Sequence, residues 1–216
     1  MREFQGWWFP DYETHFPKML QKSVNKGLPP VYQQGARQRS IELCSLRRVA
    51  LDIGANVGLW SRDLCDSFDH VIAFEPVEDF RKCLEKNVVS DRLEIRSVAL
   101  GNENTRAVMN VTEGNSGHSH IDPESFGSGD TEVVTLDSLA LPMVDYIKVD
   151  CEGFEYRVLQ GAQQTIQRCR PILVIEQKPH DMYAKDYGQF AAIELLQSWG
   201  MTQLGQVKDD WIMGWR

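Results

Sequence analysis

The feature that most constrains the fold is a short apolar run with a glycine turn directly after it, at residues 48–58 (RVALDIGANVG). An apolar run that ends at glycine is typical of a buried strand, and residues 61–66 then have the character of a helix. Gly54 and Gly58 lack a Cβ, so the backbone between strand and helix can turn sharply and approach a ligand. The segment therefore predicts a strand–turn–helix unit with a ligand at the turn.

The rest of the chain repeats this alternation. Buried strands are predicted at 70–74, 93–100, 144–149 and 171–177, helices at 79–87, 155–168 and 190–199, and a last edge strand at 211–215. Strands that alternate with helices predict a doubly wound α/β sheet, mostly parallel, with an antiparallel edge strand. Ligands of such sheets bind beyond the carboxyl ends of the strands, so the residues that follow each strand are the candidates for function.

Two segments stand apart from this pattern. Residues 1–35 are rich in aromatic residues and proline, and we expect an N-terminal arm or lid packed on a main domain of residues 36–216. Residues 107–135 contain two strand-like runs, AVMNV and TEVVTL, around a Gly/Ser/His-rich stretch. We interpret them as an inserted hairpin or lobe with a mobile loop. Substrate choice is expected to depend on both segments.

Composition limits the partners. The formal net charge of −8 disfavours tight binding to a phosphate backbone, so a nucleic-acid partner is not expected. The one modest basic cluster is interpreted as a solvated face and consists of Arg37, Arg39, Arg47 and Arg48. Five cysteines without a Cys-x-x-Cys pair argue against disulfides and zinc. Neither a signal-peptide run nor a membrane-length apolar run occurs, so we expect a cytoplasmic protein without a membrane partner.

Two acids follow the first two predicted strands. Asp52 stands where a dinucleotide fingerprint has its first glycine, and a carboxylate suits a cationic ligand better than a pyrophosphate. The alternative is a tight turn with a capping acid. Glu75, in AFEP, lies about 20 residues beyond the glycine turn, where an acid accepts hydrogen bonds from ribose hydroxyls. NAD enzymes use the same device, and a solvated charge at a strand end remains the alternative.

A third group of acids follows the strand at 144–149 in VDYIKVDCEGFE. Asp150 and Glu152 are candidates for a metal site, a substrate clamp or a base. Acids that stabilise the dipole of the next helix are the alternative, and we prefer it for Glu155. Cys151 lies between acids, which raise the pKa of a thiol, so we do not expect it to act as a nucleophile.

The ordered set LDIGANVGLWS, VIAFEPV, SVALG, VTLDSL, VDYIKVDCEGFEYRVLQGA and PILVIE resembles the FkbM family of methyltransferases over about residues 48–177. The resemblance implies a class I, Rossmann-like methyltransferase fold and S-adenosylmethionine as cofactor. It also implies methyl transfer, typically to a hydroxyl of a sugar or small natural product. By position it implies cofactor contacts from Asp52, Gly54, Asn56, Gly58, Glu75, Ser97 and Ala99. Of these, Ser97 and Ala99 are expected to pack on the adenine.

Transfer to a hydroxyl needs a base or a metal near the acceptor oxygen. Asp150 and Glu176 each follow a predicted central strand, so we expect both to reach the cleft, either with a divalent cation such as Mg²⁺ between them or with Asp150 alone as base. His118 is the reserve base. Together with His120 it can form a metal pair, and two plain loop histidines are the equal alternative.

Three other functions stay open at this point. An NAD-dependent oxidoreductase shares the sheet and Glu75 but requires a third glycine in the turn. An RNA methyltransferase shares the cofactor, and the acidic charge argues against it. A non-catalytic cofactor-binding or interaction module keeps the glycine turn but lacks an acceptor site. A small-molecule or glycan acceptor is the expected partner.

Overall fold

The computed structural model describes residues 1–178 and 187–215. Its strands are β1 (Arg2–Phe4), β2 (Trp7–Phe9), β3 (Val49–Ile53), β4 (His70–Phe74), β5 (Leu93–Arg96), β6 (Ala99–Leu100), β7 (Thr105–Asn110), β8 (His120–Asp122), β9 (Thr131–Val134), β10 (Tyr146–Val149), β11 (Ile172–Glu176), β12 (Thr202–Val207) and β13 (Asp210–Gly214). Its α-helices are α1 (His15–Val24), α2 (Gln34–Glu42), α3 (Ser61–Ser67), α4 (Glu78–Asn87), α5 (Glu155–Gln160), α6 (Gln163–Cys169) and α7 (Ala191–Ser198). None of these helices is both long enough and apolar enough to cross a membrane.

The central sheet has seven strands in the order β12-β13-β11-β10-β3-β4-β5. The strands from β11 to β5 are parallel, and β13 is antiparallel to β11, so the predicted mostly parallel sheet is confirmed. One detail of the prediction was wrong. The segment expected at the edge, β13, lies between β11 and β12, and β12 forms the edge. The sequence of β12, TQLGQV, is mostly polar and has an irregular register at Gly205, so it gave no strand signal.

Side chains of the parallel strands alternate between two helical layers. Ala50 and Tyr146 belong to a core cluster with residues of α2, α3 and α4. Leu51 and Ile147 belong to a second cluster with residues of α5, α6 and α7. Because both faces of the sheet are covered, its strands read as continuous apolar runs.

Two predicted elements are divided in the structure. The strand expected at 93–100 splits into β5, in the central sheet, and β6, which joins a second sheet. The helix expected at 155–168 splits into α5 and α6 at Gly161. The backbone of Gly161 lies so close to Gly101 that a Cβ would lie 1.9 Å from the Gly101 carbonyl oxygen. This close packing leaves no room for a side chain at position 161.

The second sheet has four strands in the order β6-β9-β7-β8. The predicted runs AVMNV and TEVVTL supply β7 and β9, which pair antiparallel. The Gly/Ser/His-rich stretch, expected to be loop, contributes β8, so the insertion forms part of a small sheet and agrees with the lobe alternative better than with a simple hairpin. Ala107, Ile121 and Val133 bury its apolar face in the main core.

The N-terminal segment packs on the domain. Trp7, Phe9 and Phe16 are buried in one cluster with Val57 and Cys83. This burial explains why residues 1–35 carry so many aromatic side chains.

Arg37 corrects one expectation about the basic cluster, because its side chain is buried and not solvated. Its guanidinium donates to the Tyr32 carbonyl at 2.6 Å and pairs with the Asp63 carboxylate at 2.5 Å. The other three arginines of the cluster are exposed, as expected.

Asn87 of α4 joins the hairpin of β1 and β2 to the rest of the domain through hydrogen bonds. Its amide accepts from the Trp8 amide at 2.6 Å and donates to the carbonyls of Trp8 at 2.9 Å and Val57 at 2.8 Å. We predict that Asn87→Ala lowers the free energy of unfolding by about 2–3 kcal/mol, because buried backbone groups lose their partners. Chemical denaturation measures this, with the exposed Glu85→Ala of the same helix as control. Equal stability of the two variants would contradict the role given to Asn87.

Candidate functional site

A cavity of about 300 Å³ lies beyond the carboxyl ends of β3, β4, β10 and β11. Ligand pockets in proteins range from roughly 300 to 1,000 Å³. Its wall includes residues of the second sheet and of the N-terminal segment, so all three parts of the fold meet there. The position agrees with the general rule for parallel α/β sheets.

Asp52 is the second-last residue of β3. It lines the cavity and is almost fully buried. The Ser61 hydroxyl donates to its carboxylate at 2.5 Å. Burial raises the pKa of Asp52 to about 6, against the effect of this hydrogen bond. The carboxylate is therefore poised to be stabilised by a cationic ligand.

Glu75 follows β4 and also lines the cavity. One carboxylate oxygen accepts from the Asn56 amide at 2.8 Å and the other from the Val77 amide at 2.8 Å. Burial raises the pKa of Glu75 to about 7 although both hydrogen bonds favour the ionised form. Asn56, a lining residue with φ of +50°, thus joins the glycine turn to the second acid.

The two glycines have different roles. Gly54 lines the cavity with φ of +80°, and a Cβ there would lie 1.9 Å from the Asp150 carbonyl oxygen. Gly58, with φ of +89°, is not among the lining residues, and a Cβ there would lie 2.4 Å from Leu84 Cδ1. Gly58 therefore serves the contact with α4 and lies outside the cavity lining, and its predicted cofactor contact stays a prediction.

The structure also separates the two residues expected beside the adenine. Ala99 is buried and lines the cavity together with Leu100. Ser97 is exposed and lies outside the lining residues, because the chain turns between β5 and β6 at this point. The apolar side of the cavity at Ala99 is completed by Phe80, Met109 and Phe154.

Asp150, Glu152 and Glu176 come together at the other side of the cavity, with carboxylate oxygens within 4.8 Å of one another. Two lysines that the sequence interpretation missed lie among them. Lys148, 1% exposed, places Nζ 3.1 Å from Asp150, and Lys178 places Nζ 2.7 Å from Glu176 and 3.0 Å from Glu152. Each acid of the cluster therefore has an ammonium partner from the protein itself.

In this arrangement the pKa values of the two predicted catalytic acids, Asp150 and Glu176, shift in opposite directions. Burial opposes ionisation of Asp150, but the ammonium groups of Lys148 and Lys178 outweigh it and hold its pKa below the ordinary value. Burial and the neighbouring Asp150 carboxylate raise the pKa of Glu176. Oxygen atoms of the two carboxyl groups lie within 4.8 Å of each other. We therefore assign the proton to Glu176, with Asp150 ionised.

The remaining predicted groups also line the cavity. His118 and His120 both line it, and burial lowers the pKa of His118, which favours the neutral ring. Cys151 lines the cavity as well. Burial, followed by the charges of Glu155 and Asp150, raises its pKa well above the ordinary value, in line with the expectation that it is not a nucleophile.

Within the N-terminal segment, His15, Phe16 and Tyr32 line the cavity, whereas Trp7, Trp8, Phe9 and Tyr12 are not lining residues. Most of the dense aromatic residues at the start of the chain therefore pack beneath the cavity wall and do not line it. The Phe16 and Tyr32 rings meet edge to face with centroids 5.2 Å apart. No pattern in the sequence distinguishes the lining aromatics from those that only pack.

Comparison with known proteins identifies the family. The model of the methyltransferase FkbM domain matches residues 52–201, more than half of the chain. No curated protein matches the chain.

Solved structures of methyltransferases share the fold at low sequence identity. An O-methyltransferase from Bacillus cereus in complex with SAH has a TM-score of 0.53 and 16% identity, with 92% of this chain and 88% of that chain covered. A putative O-methyltransferase from Klebsiella pneumoniae has a TM-score of 0.52 and 14% identity, with 93% and 88% covered.

The methyltransferase FkbM from Methylobacillus flagellatus KT has a TM-score of 0.50 and 16% identity over 77% of this chain. The present chain spans only 43% of that protein's length. At these identities the solved structures bear on the fold alone, and the domain match bears on the family. The chain belongs to the FkbM methyltransferase family and has the class I fold of S-adenosylmethionine-dependent methyltransferases.

Proposed function

We propose that this methyltransferase transfers a methyl group from S-adenosylmethionine to a hydroxyl of a sugar or small natural product. The observation that carries the proposal is that one cavity is lined by two sets of acids from neighbouring strand ends. Asp52 and Glu75 lie at the ends of β3 and β4, and Asp150 and Glu176 lie at the ends of β10 and β11. The first set suits the cofactor and the second suits a hydroxylated acceptor.

The first set fits the cofactor chemically. Adenosylmethionine carries an ammonium, a sulfonium and two ribose hydroxyls, and when bound it supplies a methyl on a good leaving group. The carboxylates of Asp52 and Glu75 are buried with raised pKa values, so a cationic ligand that donates hydrogen bonds stabilises their ionised forms. Asp52 faces the charged groups and Glu75 accepts from the ribose in this assignment.

The second set fits an alcohol acceptor. Asp150 is held ionised by Lys148 and accepts the hydrogen bond of the acceptor hydroxyl, which orients the oxygen. The proton becomes strongly acidic as the oxygen gains its methyl group, so even a carboxylate of low pKa can take it. Glu176 and Lys178 hold the position of Asp150. His118, at the outer part of the cavity, is the second candidate base.

A divalent cation is not required by this arrangement. The usual reason to place a metal between Asp150 and Glu176 is the repulsion of two close carboxylates. Lys148 and Lys178 offset that repulsion with charges only 3.1 Å and 2.7 Å away.

The two O-methyltransferase structures support the proposal as analogies, and one of them was solved with adenosylhomocysteine. The acceptor is proposed to be a small molecule or a glycan. An RNA acceptor fits less well with a net charge of −8.

Cofactor binding gives the first test. Calorimetry should detect adenosylhomocysteine and adenosylmethionine but not NAD. Glu75→Ala should weaken adenosylhomocysteine binding at least about tenfold, because it removes charge-assisted hydrogen bonds. Glu78→Ala, an exposed acid on α4, is the matched control and should bind as the parent does. Parental affinity in a folded Glu75→Ala protein would place the ribose elsewhere.

Binding should also release protons. Near pH 6.5, Asp52 and Glu75 are each partly protonated because burial raises their pKa values to about 6 and about 7. A cationic ligand favours the ionised forms, so adenosylmethionine affinity should increase from pH 6 to pH 8. Calorimetry at pH 6.5 in buffers of different ionisation enthalpy measures the release. Glu75→Gln should reduce it, and a proton count of zero in the parent would refute this electrostatic assignment.

Methyl transfer gives the test of the second set. With labelled adenosylmethionine and a panel of sugars and hydroxylated natural products, Asp150→Asn should reduce transfer at least ~100-fold while cofactor affinity persists. The exposed Asp209→Asn serves as control. Undiminished transfer by Asp150→Asn would shift the role of base to His118.

The same assay decides the question of the metal. Exhaustive chelation should leave transfer intact, because the lysines already compensate the acids. Loss of activity that magnesium restores would instead support a cation between Asp150 and Glu176.

A further inference from the structure

The outer wall of the cavity is formed where two distant segments meet. We call residues 13–16 and 114–119 together the lid. The amides of Thr14 and His15 donate to the Gly114 carbonyl at 3.1 Å and 3.0 Å, and the Thr14 hydroxyl donates to the same oxygen at 3.0 Å. The lid contributes His15, Phe16 and residues 115–119 to the cavity wall.

Glu13 lies at the junction of the two segments with a fully buried side chain. One carboxylate oxygen accepts from the amides of His15 at 2.5 Å and Phe16 at 3.0 Å, at the start of α1. The other accepts from the Ser116 amide at 2.6 Å. A helix cap accounts for the first oxygen only. The second joins the N-terminal segment to the insertion, 103 residues further along the chain.

The lid is also bonded to the predicted cofactor turn. The Ser116 hydroxyl donates to Asn56 Oδ1 at 3.2 Å, and the Asn56 amide donates to Glu75 at 2.8 Å. A continuous path of hydrogen bonds therefore runs from the proposed ribose-binding acid through Asn56 and Ser116 to Glu13. Displacement of the lid would move Ser116 away from Asn56 and so break this path of hydrogen bonds.

Asn115 supplies the second, independent observation. Its Oδ1 atom is buried and has no hydrogen-bond partner among the residues that the structure describes, and its side chain lines the cavity. A buried amide oxygen without a partner costs free energy, and a ligand donor in the cavity would remove that cost. The next residue, Ser116, bonds to Asn56 of the glycine turn, so Asn115 lies near the proposed cofactor site in the chain.

We propose that Glu13 is a positioning residue whose hydrogen bonds to His15, Phe16 and Ser116 hold the lid closed over the bound cofactor; we call these bonds the latch. We also propose that Asn115 Oδ1 accepts a hydrogen bond from that cofactor. The inference rests on the proposed function, since it takes adenosylmethionine as the ligand. The spent cofactor leaves only after the bond between Glu13 and Ser116 has opened, so Glu13 governs the residence time of the product.

Stopped-flow displacement of adenosylhomocysteine tests the latch. Glu13→Gln should increase the dissociation rate about tenfold, the effect of about 1.4 kcal/mol. Glu13→Ala should increase it further, because glutamine keeps one acceptor oxygen. Ser116→Ala, which removes only the hydroxyl link to Asn56, should also release the ligand faster. Glu113→Gln, an exposed acid of the same insertion, should leave the rate unchanged. An unchanged rate in Glu13→Gln would overturn the latch.

Hydrogen exchange separates the latch from a merely structural role and from the cofactor assignment. In the unliganded protein, Glu13→Gln should speed exchange of the amides of residues 114–119 and leave those of β10 as protected as in the parent. Equal acceleration in β10 means general destabilisation, and no acceleration at 114–119 means no latch. Both outcomes overturn the proposal. If the parent protein fails to bind adenosylhomocysteine, the proposed function fails, and exchange still decides the latch.

Asn115→Ala tests the direct contact. It should weaken adenosylhomocysteine binding several-fold and leave exchange at the other lid amides unchanged, because the latch is intact. Asn102→Ala, an exposed asparagine beside β6, is the control. Parental affinity in Asn115→Ala would remove Asn115 from the binding site.

Discussion

The close contact of two strand ends determines where everything else in this molecule can be. At Gly54 the turn after β3 approaches the end of β10 so closely that a Cβ would lie 1.9 Å from the Asp150 carbonyl oxygen. This contact places Asp52, which we propose to bind the cofactor, next to the strand end that carries Asp150, which we propose to bind the acceptor. A side chain at Gly54 would push the two strand ends apart and thereby separate the two halves of the proposed reaction.

Charge is the second constraint, because the contact concentrates carboxylates in a buried place. On the acceptor side the protein compensates them internally, with Lys148 and Lys178 within 3.1 Å of their partners. On the cofactor side burial dominates, and the pKa values of Asp52 and Glu75 rise. In the proposed function, the buried acids with raised pKa values favour a cationic ligand, and the acids that have ammonium partners favour a neutral hydroxyl.

The fold was largely predictable from sequence because buried parallel strands and glycine turns leave local signals, and residues 48–58 carry both. The polar edge strand β12 left none, and the division of 93–100 between two sheets depends on long-range pairing. Within the site, Asp52 and Glu75 were found through their place after strands. Lys148 was missed because a lysine inside a strand reads as surface charge until a partner such as Asp150 is known to lie beside it.

The contacts of Glu13 were even less predictable from the sequence than those of Lys148. Nothing near Glu13 in the sequence reveals that its carboxylate bonds a backbone amide of the insertion, and the Ser116 amide carries no side-chain signal at all. Yet residues 13–16, which lie outside the family match, and residues 114–119 of the insertion are the segments that close the cavity. In the proposed function the strand ends supply the acids, and these two segments enclose the ligands. A buried acid that joins the two segments therefore bears on ligand binding as well as on stability.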